Sequence, residues 1–172
     1  MIAGLVRSMR PIQWTKNVVV FAPLVFDVKL FNVGYALRSL AGFILLCLVS
    51  GAVYLINDLV DMEKDRQHPR KRFRPIASGE VSRSPAIVTA IAVPAVALPL
   101  GLYVHPTFGI ILACYLVLQV LYSFWLKNLV IIDVLVLSLG FLLRVIAGSL
   151  VVDVERFSPW LYVCVFLLAL FL

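Results

Sequence analysis

Charge is scarce in this chain of 172 residues. Asp, Glu, Lys and Arg together make up 14% of it, against 63% hydrophobic residues and a mean hydropathy of +1.05. A soluble domain of that size needs far more polar surface to stay dissolved. Cysteine is as thinly spread: Cys47, Cys114 and Cys164 each sit inside an apolar run, with no CxxC partner and no neighbouring histidine. That spacing excludes a disulfide framework and a zinc site, and the thiols read as small residues in apolar packing. No strand-type alternation competes with the apolar runs, and open sheets cannot face lipid. The opening "MIAGLVRSMRPIQWTKN" places its positive charge after a short greasy start. A cleavable signal peptide has the opposite order.

What is present is a series of apolar runs near the ~20 residues that cross a bilayer as helix. The chain reads as an all-α polytopic membrane protein, a single transmembrane helical domain over 1–172. Residues 1–16 form an interfacial lead-in. Spans are expected over about 17–36, 39–56, 85–104, 108–126 and 129–152, and a sixth, from Trp160, is still apolar at the last residue. Pro94 and Pro99 should kink the third by removing backbone donors. Lys and Arg sort unevenly between the two sides. One side carries eleven (Arg7, Arg10, Lys16, seven in the 57–84 loop, and Lys127), and the other three, Lys29, Arg38 and Arg156. The excess predicts that the N-terminus and the loop face the cytoplasm of a bacterial inner membrane. The same basics would also attract anionic lipid headgroups. No nucleic-acid partner is expected, and oligomeric state is not legible.

The acids inside that loop need a separate account. In "NDLVDMEKDRQHPRKRFRPIASG", Asn57 to Gly79, Asp58, Asp61 and Asp65 fall within about 60° of one another on a helix, with Asn57 beside them and Glu63 pointing away. Like charges on one face repel. They could be a solvated helix end paired with Lys64 and Arg66. Continuing directly from a transmembrane helix, they read better as a Mg²⁺ face, since Mg²⁺ takes one or two carboxylates plus phosphate oxygens. Lys71, Arg72 and Arg74 would then neutralise the remaining charge of a diphosphate.

"NDLVDMEKD" resembles the N-D-x-x-D-x-x-x-D motif of the UbiA superfamily of intramembrane prenyltransferases. "HPRKRFRPIASGEVS" and "RPIQWTKN" are most similar to that superfamily's phosphoribosyl-transferring branch. The resemblance implies a UbiA-like bundle, with about six of nine expected spans present and a cytoplasmic catalytic loop at about 57–84. It implies Mg²⁺ as cofactor, held by Asp58, Asp61 and Asp65. It also implies Asn57, Lys16, Lys71, Arg72 and Arg74 as substrate contacts, with Tyr122 and Ser123 of "YSFWLK" joining them. Asp58, Asp61, Lys127 and Asp133 carry the implied catalytic roles. The implied reaction moves 5-phosphoribosyl from phosphoribosyl pyrophosphate to a polyprenyl (decaprenyl) phosphate and releases pyrophosphate, a step of cell wall biosynthesis. The superfamily's later aspartate-rich motif does not occur in these 172 residues, so the polypeptide is expected to be inactive alone.

In the fifth span Asp133, Gly140, Arg144 and Gly148 share an arc of about 80°. The glycines permit close helix packing. Asp133 and Arg144 are about 16 Å apart along the axis, too far to pair. Asp133 is expected near the site and Arg144 in the architecture of the bundle. Two other functions stay open on the residues. One is UbiA-type transfer of a prenyl group from its diphosphate to an aromatic or glycerol-phosphate acceptor. The other is a non-catalytic membrane scaffold whose basic loop touches headgroups.

Overall fold

The computed structural model describes residues 1–154 and 159–171. The turn expected over 153–159 lies partly outside the described residues, as does Arg156. Among the described residues eight α-helices follow in chain order: α1 (Ile2–Ser8), α2 (Ala22–Phe26), α3 (Val33–Val60), α4 (Met62–Gln67), α5 (Arg83–Val104), α6 (Pro106–Phe124), α7 (Val130–Val151) and α8 (Pro159–Phe171). Among the described residues there is no strand. Helices α3, α5, α6 and α7 are long and apolar enough to cross a membrane, and α8 is a shorter apolar helix of 13 residues.

The first expected span is corrected. Residues 17–36 do not form one helix: a 3₁₀ helix occupies Pro11–Phe21, α2 adds five residues, and a turn precedes α3. Proline opens both pieces, Pro11 in the first and Pro23 in the second, and each lacks the N–H that a through-running helix would use. Three residues per turn keeps positions i, i+3 and i+6 on one line. Trp14, Asn17 and Val20 therefore turn toward the bundle, and Asn17 and Val20 are buried. Ile12, Thr15 and Val18 are exposed on a second face, and Gln13 and Lys16 make up the third. The turn after α2 is pinned at the far end of the bundle, where the Lys29 ammonium donates to the carbonyls of Val152 and Asp153 at 3.3 and 2.8 Å.

Asn32 caps α3 by accepting from the amides of Gly34 and Tyr35. The helix then runs four residues past its expected end at Ile56, so Asn57 and Asp58 belong to its last turn. Asp61 interrupts it, and α4 resumes with Asp61 N–H on the Asn57 carbonyl and Asp65 N–H on the Asp61 carbonyl. α5 continues through Pro94 and Pro99.

Two apolar clusters hold the bundle. One joins Val20, Leu46, Val49, Ala97, Phe108, Leu112 and Val151 from the 3₁₀ helix and all four long helices. The other joins Met9, Leu55, Met62, Ile76, Val81 and Ala86, and so fastens the charged loop onto α3 and α5. Gly79 closes that loop's turn at φ +84°, a left-handed conformation that costs a glycine nothing.

Candidate active site

At the charged end of the bundle a cavity of about 420 Å³ opens between the 3₁₀ helix, α3, α6 and α7. The 3₁₀ helix and the residue before it supply Arg10, Gln13 and Lys16, and α3 supplies Ser50, Tyr54 and Asn57. Asp61 and Lys71 reach it from the loop. Tyr115, Gln119, Tyr122 and Ser123 line it from α6, Lys127 from the connection after α6, and Arg144 from α7. The spacing on α6 follows from helix geometry, because residues 115, 119, 122 and 123 share a face.

The wall carries Arg10, Lys16, Lys71, Lys127 and Arg144 against a single carboxylate, Asp61, among the described residues. That imbalance survives because some of the charges have partners outside the cavity or on its rim. Lys127 Nζ sits 2.6 Å from Asp61 Oδ1 and 3.4 Å from Asn57 Oδ1. Arg10 donates to Asp58 Oδ1 and stacks over the Tyr54 ring at 4.9 Å. Its backbone is left-handed, at φ 52°. Arg144 is buried with three neutral partners: it donates to Asn17 Oδ1 at 2.7 Å, the Gly140 carbonyl at 2.8 Å and Tyr115 Oη at 2.7 Å. Partial burial, followed by the charge of Arg144, holds the Lys16 ammonium below the ordinary lysine pKa.

The three aspartates expected to share a metal are divided. Asp58 and Asp65 are buried, lie off the cavity wall and share Arg74, at 3.3 and 2.6 Å, while Asp61 faces the cavity with Lys127. Among the described residues no three His, Cys, Asp or Glu side chains converge as a metal-holding group. Two of the acids are already paired: Asp58 with Arg10 and Arg74, and Asp65 with Arg74. A Mg²⁺ held by three carboxylates does not fit this arrangement. A Mg²⁺ held mainly by phosphate oxygens needs only one or two protein ligands, and the wall offers the carboxylate of Asp61 and the amide oxygen of Asn57, both facing Lys127.

The other expected residues distribute as follows. Lys16, Lys71, Tyr122, Ser123, Lys127, Asn57 and Asp61 line the cavity. Arg74 faces the aspartates, and Arg72 is exposed and lies over the Phe73 ring. Asp133 stands one residue behind the wall, accepting from Tyr122 Oη at 2.7 Å. Glu63 points outward, to Arg66 and Arg83.

Sequence reasoning passed over Arg10, Gln13, Tyr54, Tyr115 and Gln119, and placed Arg144 in the architecture when it also lies on the wall. A signal existed for two of them. In "RPIQWTK" the polar residues Arg10, Gln13 and Lys16 recur every third position, the period of a 3₁₀ helix.

Residues 21–172 match the UbiA prenyltransferase family. The chain belongs to that family and is a multi-pass membrane protein. It is 39% identical over 169 residues to a decaprenyl-phosphate phosphoribosyltransferase of Corynebacterium glutamicum, covering 95% of this chain and 50% of that protein. It is 37% identical over 164 residues to the same-named protein of Mycolicibacterium smegmatis, covering 93% and 51%. The chain thus spans about half the length of these relatives. Among solved structures, a UbiA homologue from Archaeoglobus fulgidus bound to DMAPP and Mg²⁺ superposes with a TM-score of 0.77 at 21% identity, over 96% of this chain and 60% of that one. A digeranylgeranylglyceryl phosphate synthase superposes with a TM-score of 0.82 at 20% identity, over 98% and 58%. The shared bundle accounts for the expected fold class; among the described residues it holds four long apolar helices and the shorter α8.

Proposed function

We propose that this chain belongs to an intramembrane transferase that moves 5-phosphoribosyl from phosphoribosyl pyrophosphate to a polyprenyl phosphate. The observation that carries this reading is the wall, with five cations and one carboxylate among the described residues. Both substrates of such a reaction are phosphorylated, and a cavity must offset their mutual repulsion before they can react. The identity to decaprenyl-phosphate phosphoribosyltransferases supports the same choice.

In the reaction the bond from the anomeric carbon to pyrophosphate breaks, and pyrophosphate leaves with the electron pair. An oxygen of the polyprenyl phosphate forms the new bond to that carbon. This oxygen is already anionic, so no protein base is required. Lys127 and Lys71 would stabilise the charge that grows on the departing group, and Tyr122, braced by Asp133, would position it. Asp61 and Asn57 would hold Mg²⁺, which on binding supplies further neutralisation of the diphosphate. Arg74 braces Asp58 and Asp65 in this reading, and the excess of basic residues at this end supports a cytoplasm-facing site.

The test is donor choice. The chain in nanodiscs is titrated with phosphoribosyl pyrophosphate and with geranyl diphosphate, each with Mg²⁺. In parallel, membranes carrying it receive either labelled donor with a polyprenyl phosphate. Phosphoribosyl pyrophosphate is expected to bind and to compete with pyrophosphate. Binding of geranyl diphosphate alone, or label reaching lipid from that donor alone, would overturn the reading in favour of prenyl transfer.

Asp61→Asn is expected to lower Mg²⁺-dependent donor affinity by about 10²-fold, a loss of the size seen when one tuned electrostatic group is removed. An unchanged titration would remove Asp61 from the site, and with it the case against a non-catalytic scaffold.

A further inference from the structure

The cavity is not uniform along its depth. Ser50 and Asn57 on α3, like Tyr115 and Tyr122 on α6, are seven residues apart, which sets the floor about 10 Å below the rim. At the rim, Lys127 has Asp61 as counter-ion and Arg10 has Asp58, while Lys71 on the loop has no described ion pair. At the floor, Lys16 and Arg144 have none: no carboxylate among the described residues lies within ion-pair reach of either. Arg144 is 7% exposed and belongs to a membrane-spanning helix. A cation there is costly unless an anion offsets it.

Arg144 also keeps unused capacity. Of the five N–H donors of a guanidinium, three go to Asn17, Gly140 and Tyr115. Two remain, one on each terminal nitrogen. The residue that could crowd them is absent: a Cβ at Gly140 would meet Gln119 Nε2 at 2.8 Å and Arg144 Nη1 at 3.5 Å. Lys16 shares the floor on the cavity face of the 3₁₀ helix, one residue before the asparagine that anchors Arg144. Both cations thus line the same part of the cavity, near enough for the charge of Arg144 to act on Lys16, and Arg144 has donors to spare.

We propose that Lys16 and Arg144 form a second anion locus, separate from the Asp61–Lys127 rim, that takes a phosphomonoester dianion. Two unit charges match the dianion, and the guanidinium fork suits its paired oxygens. The inference rests on the proposed reaction for its ligand class, and that reaction offers two sources: the sugar phosphate of the donor and the headgroup phosphate of the acceptor lipid.

The experiment is equilibrium binding to the chain in nanodiscs, with three probes: ribose 5-phosphate, a polyprenyl phosphate placed in the nanodisc lipid, and Mg²⁺-pyrophosphate. Lys16→Met and Arg144→Gln are each expected to weaken a phosphomonoester at least about tenfold, while Mg²⁺-pyrophosphate stays within about twofold. Loss of ribose 5-phosphate alone assigns the locus to the donor; loss of the lipid alone assigns it to the acceptor; loss of both shows one locus that either can enter. Unchanged binding of both monoesters overturns the proposal. So does an equal loss of all three probes, which is what a purely structural arginine would give. Should Arg144→Gln fail to accumulate, Lys16→Met and Arg144→Lys are judged by the same criterion. A prenyl diphosphate winning the donor test would sink the proposed reaction yet leave these monoester titrations to stand or fall separately.

Discussion

Arg74→Ala is expected to release the aspartate segment from the bundle. Asp58 and Asp65 are each 2% exposed, and Arg74 holds them at 3.3 and 2.6 Å. Asp58 keeps Arg10 in the variant, but Asp65 has no other cation among its described ion pairs. Leaving one buried carboxylate uncompensated costs about 3 kcal/mol, the lower end for a broken buried pair because the arginine is a quarter exposed. That is enough to open α4 and the following turn locally before the spans respond. The readout is limited proteolysis across 62–83 in detergent or nanodiscs, with cleavage rising by roughly two orders of magnitude. Arg74→Ala combined with Asp65→Asn should recover most of the protection, because the uncompensated charge is gone. If the single variant is cut no faster than the parent, Arg74 is not the brace described here. A clamp on substrate phosphate would then be the better account of it.

The second large effect comes from Gly148→Ala. A Cβ at this position would stand 2.2 Å from the Val20 carbonyl oxygen and 2.9 Å from its carbon. These are backbone atoms, so no side chain can rotate away, and the 3₁₀ helix must move bodily off α7. Overpacking of this kind costs about 3 kcal/mol, which in a chain of this size lowers the melting midpoint by roughly 5–10 °C. The displaced segment carries Asn17 and Lys16, so phosphomonoester binding should fall with it. Gly79→Ala is the control: its Cβ meets nothing within 4 Å and costs only the left-handed backbone, about 1 kcal/mol. Equal melting of the two variants would contradict the tight α7 contact.

The long helices were legible because composition alone demands them: four runs of 19 residues or more with few charges have no alternative to helix in lipid. The aspartate spacing was legible as well, and so was the placing of Lys127 opposite it, on the same side by charge counting. What the aspartates would face was not. The pairing of Asp58 with Arg10 joins residues 48 apart in sequence, and helical periodicity has nothing to say about which side a distant arginine approaches from. The first span failed for a different reason. Hydropathy over 17–36 reports that the segment is apolar, but not that prolines at 11 and 23 exchange one long helix for a 3₁₀ helix and a short α-turn. Arg144 ties the bundle together as expected, but through an amide, a carbonyl and a phenol where a buried arginine in a span ordinarily pairs with an acid.

The 3₁₀ helix Pro11–Phe21 has a repeat of a whole number of residues. On an α-helix a line of side chains drifts around the axis, so a short piece blurs one environment into the next. Here the three faces run straight, like those of a triangular prism. One face meets the polar cavity, one meets protein and one, with Ile12 and Val18, is left for hydrocarbon. Along eleven residues the chain therefore acts as a partition between three media of different polarity, with a wall no thicker than a single backbone.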